Sequence, residues 1–251
     1  MDTIDTSITG PSTFSPPPVG AAQRVPPLES GDVMDRHEFE RRWEAMPGLK
    51  RAELIDGVVF VPPALRYSAH GNPHLLLSTW LGSYLISTPG VEAGDAPTVR
   101  LDEKNLPQPD LCLFLPFAAG GKTKIASDDY LEGPPDLIVE VAASSVSLDL
   151  HGKKLAYEEA GVREYLIWRT LDGALDWFVA SEGAFVPLLP DVAGLLKSRT
   201  FPGLWLDPQV LLAKDHRRLL EALERGLASP EHAQFVAQLQ AALGQKPDQS
   251  T

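Results

Sequence analysis

The chain has 251 residues, 43% of them hydrophobic, enough for one large domain or two small ones around a proper core. Its 34 acidic residues outnumber 22 basic ones, giving a formal net charge of −12. That balance excludes a protein that holds nucleic acid through a generally basic surface, while leaving room for a local basic groove or a metal-loaded centre.

Residues 1–31 are rich in Pro, Ser, Thr and Gly and read as a disordered arm. The opening "MDTIDTSITGPSTFSPPPVG" has neither a basic region nor a continuous apolar stretch, so no signal peptide is expected. From Asp32 the pattern changes. "DRHEFERRWEAM" places Phe39, Trp43 and Met46 at helical spacing behind Asp35 as a cap, and Pro47-Gly48 ends the helix. In "AELIDGVVFV" two short β-rich runs flank Asp56-Gly57, a tight-hairpin signal. A second helix is predicted over about 70–87, with Leu77, Leu81 and Leu85 on one side and Pro89-Gly90 as its stop.

"PTVRLD" and "QPDLCLFLP" read as two strands joined by the polar loop "EKNLP" into a second hairpin. Residues 117–133 read as an irregular connection, and about 136–142, "DLIVEVA", as a central strand apolar on both faces. The single cysteine, Cys112, lies inside "LCLFL"; it has no internal disulfide partner and reads as core rather than nucleophile. A reducing cytoplasm fits that usage. A helix over 149–160 stops at Gly161, followed by the strands "REYLIWRT", "ALDWFVA" and "AFVPLL". The tail beyond Asp215 reads as helical, with Ser229-Pro230-Glu231 starting its last helix. The predicted architecture is a mixed α/β sheet domain over 32–213, with a helical extension over 214–251. No run approaches 18 consecutive apolar residues, so no membrane span is expected.

Glu140 stands in the middle of an apolar strand, where an ionised side chain needs compensation. Asp136 shares its face but lies about 13 Å along the strand, too far to share one metal ion; it reads as a cap on the strand's entrance. Asp110 opens the other strongly apolar strand. If the two strands are neighbours, about 4.8 Å apart, Asp110 and Glu140 converge on a hard cation such as Mg²⁺. The alternative is that both are strand-end acids facing water. Glu53 is either a third ligand or an exposed hairpin acid.

Four segments together, "ELIDG" at 53–57, "QPDL" at 108–111, "PDLIVEV" at 135–141 and "DLHGKKLAYEEAGVREYLIW" at 149–168, resemble the Uma-two family of the PD-(D/E)xK superfamily of restriction endonucleases. The resemblance covers roughly residues 35–212. It implies a restriction-endonuclease-like fold, a mixed β-sheet flanked by helices, and divalent-metal phosphodiester cleavage of nucleic acid, DNA in the first instance. Carried over residue by residue, Glu53, Asp110 and Glu140 hold one or two Mg²⁺ or Mn²⁺ ions. The usual lysine place is Ala142; in this family the basic residue comes instead from the next helix, and Asp149, Lys153 and Tyr157 have that spacing. Four-residue steps put those three on one helical face, with Lys153 as the catalytic ammonium and Lys154 pointing elsewhere. Without the resemblance, Lys153 reads as a residue of a solvated helix face.

Two departures stand out. Ala143-Ser144-Ser145 replaces the family's Ser-Pro-Ser, so only Ser145 matches a serine, and Ala69 replaces a proline before His70. His70 is then either an accessory group at a phosphate or water, or a helix cap. The competing functional reading is a catalytically inactive nuclease fold used for binding or regulation. "GGKTK" at 120–124 lacks the first glycine of a phosphate-binding loop. In the tail, Leu219, Leu220, Leu223 and Leu227 form an apolar stripe that either packs on its own domain or makes a homodimer contact.

Overall fold

A computed structural model describes residues 25–244; residues 1–24, most of the predicted arm, lie outside the described residues, as do 245–251. Asp35 caps α1 (Arg36–Glu44) by accepting the Glu38 N–H. Phe39 is buried against the first hairpin, β1 (Glu53–Ile55) and β2 (Val58–Phe60). Asp56 (φ 48°) and Gly57 (φ 75°) are both left-handed, the type I′ geometry that Asp-Gly favours. A π-helical turn at Tyr67–Gly71 leads into α2 (Asn72–Ser87).

Next come β3 (Glu92–Asp95), β4 (Val99–Arg100), β5 (Leu111–Phe114), β6 (Lys124–Ile125), β7 (Leu131–Glu132) and β8 (Leu137–Ala142). A second π-helical turn, Leu148–Lys153, leads into α3 (Lys154–Ala160), which ends at the left-handed Gly161 (φ 84°). β9 (Glu164–Arg169), β10 (Ala174–Ser181) and β11 (Ala184–Pro187) follow, then β12 (Leu196–Lys197), β13 (Trp205–Leu206), α4 (Pro208–Leu212), α5 (Glu221–Leu227) and α6 (Pro230–Gly244).

The main sheet has the order β11-β10-β9-β8-β5-β3, with β8 and β9 parallel and its other pairs antiparallel. This is the expected mixed sheet flanked by helices. The predicted hairpin over 97–116 is corrected: β4 and β5 do not pair. β4 joins β7 and β6 in a separate sheet, whereas β5 pairs with β3 and β8. β3, "EAGD", gave no strand signal because Glu, Gly and Asp disfavour strands. It is an edge strand whose exposed Glu92 and Asp95 resist pairing with another chain. The segment 117–133, expected to be irregular, holds β6 and β7.

Alternation along β8 divides the core. Leu137, Val139 and Val141 face Trp80 and Tyr84 of α2, while Ile138 and Ala142 face Tyr157 of α3 and Tyr165 of β9. The tail completes the first of these cores. Leu219, Leu223 and Leu239 are buried in it, and Leu220 and Leu227 pack against it. The leucine stripe is thus used up within its own chain. No helix among the described residues is long and apolar enough to cross a membrane.

Candidate active site

β5 and β8 are neighbours, as the convergence of Asp110 and Glu140 requires. Their register pairs Leu111 with Val139, so one step further sets Asp110 opposite Glu140. The two side chains share the face of Cys112, Ile138 and Ala142. The Asp110 N–H points at Glu140 Oε2 (3.4 Å), and Asp110 Oδ2 accepts the Val141 N–H at 2.8 Å. Both residues are buried, at 2% and 3% exposure.

The helix lysine reaches. Lys153, 3% exposed, places Nζ 2.8 Å from Glu53 Oε1, 3.0 Å from Glu140 Oε1 and 3.6 Å from Asp149 Oδ1. Tyr157, one further step along the same helix, donates its hydroxyl to Glu140 Oε1 at 3.0 Å. The small Ala142 lies on the same strand face as Glu140. Lys154 points elsewhere, with Nζ 4.7 Å from the Phe178 ring centre. Ser145 bonds Asp149 Oδ2 at 2.6 Å, and Tyr165 donates to the Asp149 carbonyl.

Glu53 is not an exposed hairpin acid. It is 5% exposed and accepts the Gln108 N–H at 2.8 Å. His70 is not a helix cap either: its Nε2 lies 3.1 Å from Asp110 Oδ2, and its Nδ1 is buried without a partner. Asp136 sits apart, as its spacing predicted, accepting the Leu115 N–H and pairing with Arg163 at 3.2 Å.

Sequence reasoning overlooked three groups. Arg51 donates to Asp110 Oδ1 at 3.1 Å and to the Gln108 carbonyl at 2.8 Å. Its signal was its place two residues before Glu53 in an extended segment, which puts both on one side. His74 stacks on His70 and lies 3.3 Å from the Asp110 carbonyl; the signal was the four-residue step. Gln108 was read only as part of "QPD", but its side chain ties the Ala52 N–H to Thr98.

Electrostatically, four buried carboxylates, Glu53, Asp110, Glu140 and Asp149, face two permanent cations, Lys153 and the half-buried Arg51. Burial alone would raise Asp110, but the bond and charge of His70, with Arg51 and the Val141 N–H, hold it below the usual carboxylate range. Glu140 goes the other way. Burial raises it, and Asp110, Asp149 and Glu53 raise it further against the pull of Lys153. Asp149 is also raised by burial. Lys153 is raised despite burial because Glu140, Glu53 and Asp149 surround it. Of the facing pair, Asp110 keeps its charge and Glu140 takes up a proton more readily.

The donor set suits a hard cation: it is all oxygen and carries more acids than bases. The spacing is not a ready cage. Among the described residues no three His, Cys, Asp or Glu side chains are gathered to hold a metal, and the Lys153 ammonium bridges Glu53 and Glu140.

A family model described as Uma2, "Putative restriction endonuclease", matches residues 36–209. Among solved structures, a "putative nuclease belonging to DUF820" from Anabaena variabilis is similar over 74% of this chain and 97% of its own, with 11% identity and a TM-score of 0.49. No curated protein matches.

Proposed function

This chain belongs to the Uma2 (Uma-two) family, and from that premise we propose that it is a metal-dependent endonuclease that hydrolyses phosphodiester bonds of DNA. The observation that carries the proposal is the meeting of Glu53, Asp110 and Glu140 with Lys153 in one buried cluster. Glu53, Asp110 and Glu140 would hold Mg²⁺ or Mn²⁺. When bound, such an ion lowers the pKa of an attached water and offsets charge on the phosphate.

The chain's own residues do the rest. Arg51 and His70 hold Asp110 in place and favour its ionised form. Tyr157 and Lys153 orient Glu140, and the Lys153 ammonium supplies positive charge for a phosphate gaining negative charge in the transition state. Ser145 and Asp149 position Lys153 from the side of the π-helical turn. A reducing cytoplasm suits a chain whose single cysteine is buried.

The deciding experiment incubates plasmid DNA with the purified chain in Mg²⁺, Mn²⁺ or EDTA, beside Asp110→Asn and Glu140→Gln. Cleavage should need the metal and fall at least about a hundredfold in either variant. Equal cleavage by wild type and variants would assign the activity to a contaminant. A parallel RNA substrate decides the choice of nucleic acid. One observation favours the second reading, a non-cleaving binding or regulatory module: the Lys153 ammonium already bridges two of the carboxylates that a metal would need. That reading expects DNA retention without cleavage in every metal.

A further inference from the structure

Between Asp56 and Glu92 the chain runs 35 residues without an Asp or Glu, its longest acid-free stretch. The chain's average, 34 acids in 251 residues, would put four or five there. Within the stretch, residues 63–68 are exposed at every position, and they carry Arg66 and Tyr67, the latter 78% exposed. Hydrogen bonds tie this turn to the acidic cluster. The Arg66 carbonyl accepts the His70 N–H at 2.9 Å, and His70 Nε2 lies 3.1 Å from Asp110 Oδ2. The stretch without acids therefore passes directly over the edge of the candidate site.

A second cation arrives from the tail. Lys214 Nζ donates to the Ser68 carbonyl at 3.4 Å and keeps two further N–H donors. Lys214 follows α4 with φ 54°, the left-handed place where a helix ordinarily ends in glycine or asparagine. A lysine there carries backbone strain that a glycine would not. Among the described residues neither Arg66 nor Lys214 pairs with an acid, whereas Arg36, Arg100, Lys124 and Arg169 all do. Acids that approach the turn are compensated. Thr170 bonds the Ala69 carbonyl, and the nearby Asp172 and Asp176 are both held by Arg169 at 2.7 Å. Asp215, next to Lys214, is followed by His216, Arg217 and Arg218.

We propose that a single-stranded or locally unpaired nucleic-acid strand lies along this turn on its way to the acidic cluster. Arg66 and Lys214 take phosphates beside the one at the cluster, and Tyr67 stacks on a base. This rests on the reading that nucleic acid is the substrate, and adds which form of it is held. Charge and shape make the choice. A duplex is gripped by many phosphate contacts over a broad basic surface. Two cations on a chain of net charge −12 are no such surface. Inside a duplex both faces of each base are already stacked, so an exposed tyrosine finds a partner only on an unpaired one. An anionic membrane would need a larger polybasic cluster. The cations around β4 and β6 offer no rival track, since Arg36, Arg100 and Lys124 are matched by Glu40, Glu103, Asp128 and Glu132.

Fluorescence anisotropy of a short labelled oligothymidylate, in EDTA and low salt so that nothing is cut, should show binding by the full chain. A duplex of the same length should bind more weakly. Arg66→Ala and Lys214→Gly should each flatten the plot of log affinity against log salt by about 0.7, the share of one single-strand phosphate contact. Tyr67→Ala should weaken binding about tenfold and leave that slope unchanged. Lys214→Gly should melt no lower than wild type, since glycine accepts the left-handed backbone. Lys122→Ala, which removes an exposed cation beside Gly161, should change nothing. Cleavage of plasmid is scored separately. Binding through these three residues without cleavage in any metal keeps this surface and removes the nuclease reading. Cleavage combined with oligonucleotide binding that ignores them, or with tighter binding of the duplex, overturns the surface and leaves that reading standing. A wild type that binds no oligonucleotide also overturns it. So does equal retention on phosphatidylglycerol vesicles that the same variants lose.

Discussion

Glu140 and Glu164 are both buried in adjacent strands of one sheet, and their surroundings differ in kind. Glu164 accepts from Trp177 Nε1, the Ser198 hydroxyl and the N–H groups of Arg199 and Thr200, so a full set of fixed donors serves a structural carboxylate. Glu140 is met by two buried side chains, Lys153 and Tyr157, and by the more distant Asp110 N–H, beside three other acids. Its raised pKa has a definite sign. A carboxyl raised in the folded state contributes stability that is full below its ordinary value of 4.5 and lost as pH climbs through the raised one. Thermal melts in EDTA should therefore show the wild type losing ground to Glu140→Gln as pH rises above 4.5; a gap independent of pH would exclude Glu140 as the titrating group. Lys153→Met should cost about 3–5 kcal/mol, because it leaves buried carboxylates uncompensated. Mg²⁺ should then raise the melting temperature of the variant more than that of wild type, since the ion no longer competes with the ammonium. An equal response would mean that lysine and cation do not share acids. At this scale much of the site was legible, because a carboxylate inside an apolar run and a four-residue Asp-Lys-Tyr step are both anomalies of pattern. Arg51 and His74 were not singled out, because an arginine before a hairpin and a histidine on a helix look ordinary until Asp110 arrives from elsewhere in the chain.

Elements with strong local chemistry were the readable ones. The Asp35 cap, the Asp56-Gly57 turn and the Gly161 stop stand where the sequence put them. β3 and the β12–β13 pair were missed, because a four-residue edge strand and two-residue strands are defined by their partners rather than their composition. The tail helices show the same dependence on context. Their leucines are legible as a stripe, but only the packed structure shows it against Trp80 and Tyr84. His232 adds a polar clasp, accepting or donating at Thr88 Oγ1 (2.9 Å) and facing the Leu227 carbonyl (3.0 Å). A chain ending at residue 213 should consequently unfold less cooperatively in urea and bind a hydrophobic dye. Leu223→Ala, at a site 1% exposed, should cost about 2–5 kcal/mol. An unchanged urea midpoint for the shortened chain would make the tail an appendage rather than part of the core.

Across the whole molecule, charge is distributed with a purpose that the net value hides. The −12 total argued against a broad basic surface, and it says nothing about an acidic cluster buried beneath one lysine. On the proposed nuclease reading, such a cluster would favour a small divalent ion over a polyanion, and the ion would offset its negative charge. The main sheet separates these roles. One face carries the paired carboxylates Asp110 and Glu140, and the other carries the core shared by α2 and the tail, with Glu164 on its side. A change in packing on the second face can reach the first through the strands and through α2, whose His74 faces the Asp110 carbonyl. The fold class followed from element order, whereas this division needed the register of β5 against β8, which no single segment encodes.

The π-helical turn at Leu148–Lys153 makes chain length a determinant of the site. Such a turn holds one residue more than the regular helix it interrupts. Deleting a residue between Asp149 and Lys153 would replace the wide turn by a regular one and leave Ala156 and Tyr157 seated. Asp149 would then stand three rather than four residues before the lysine, so their meeting would change although no residue of the site had been substituted. Insertions and deletions in this short segment therefore distinguish an assembled site from a dismantled one, even between chains whose site residues are identical.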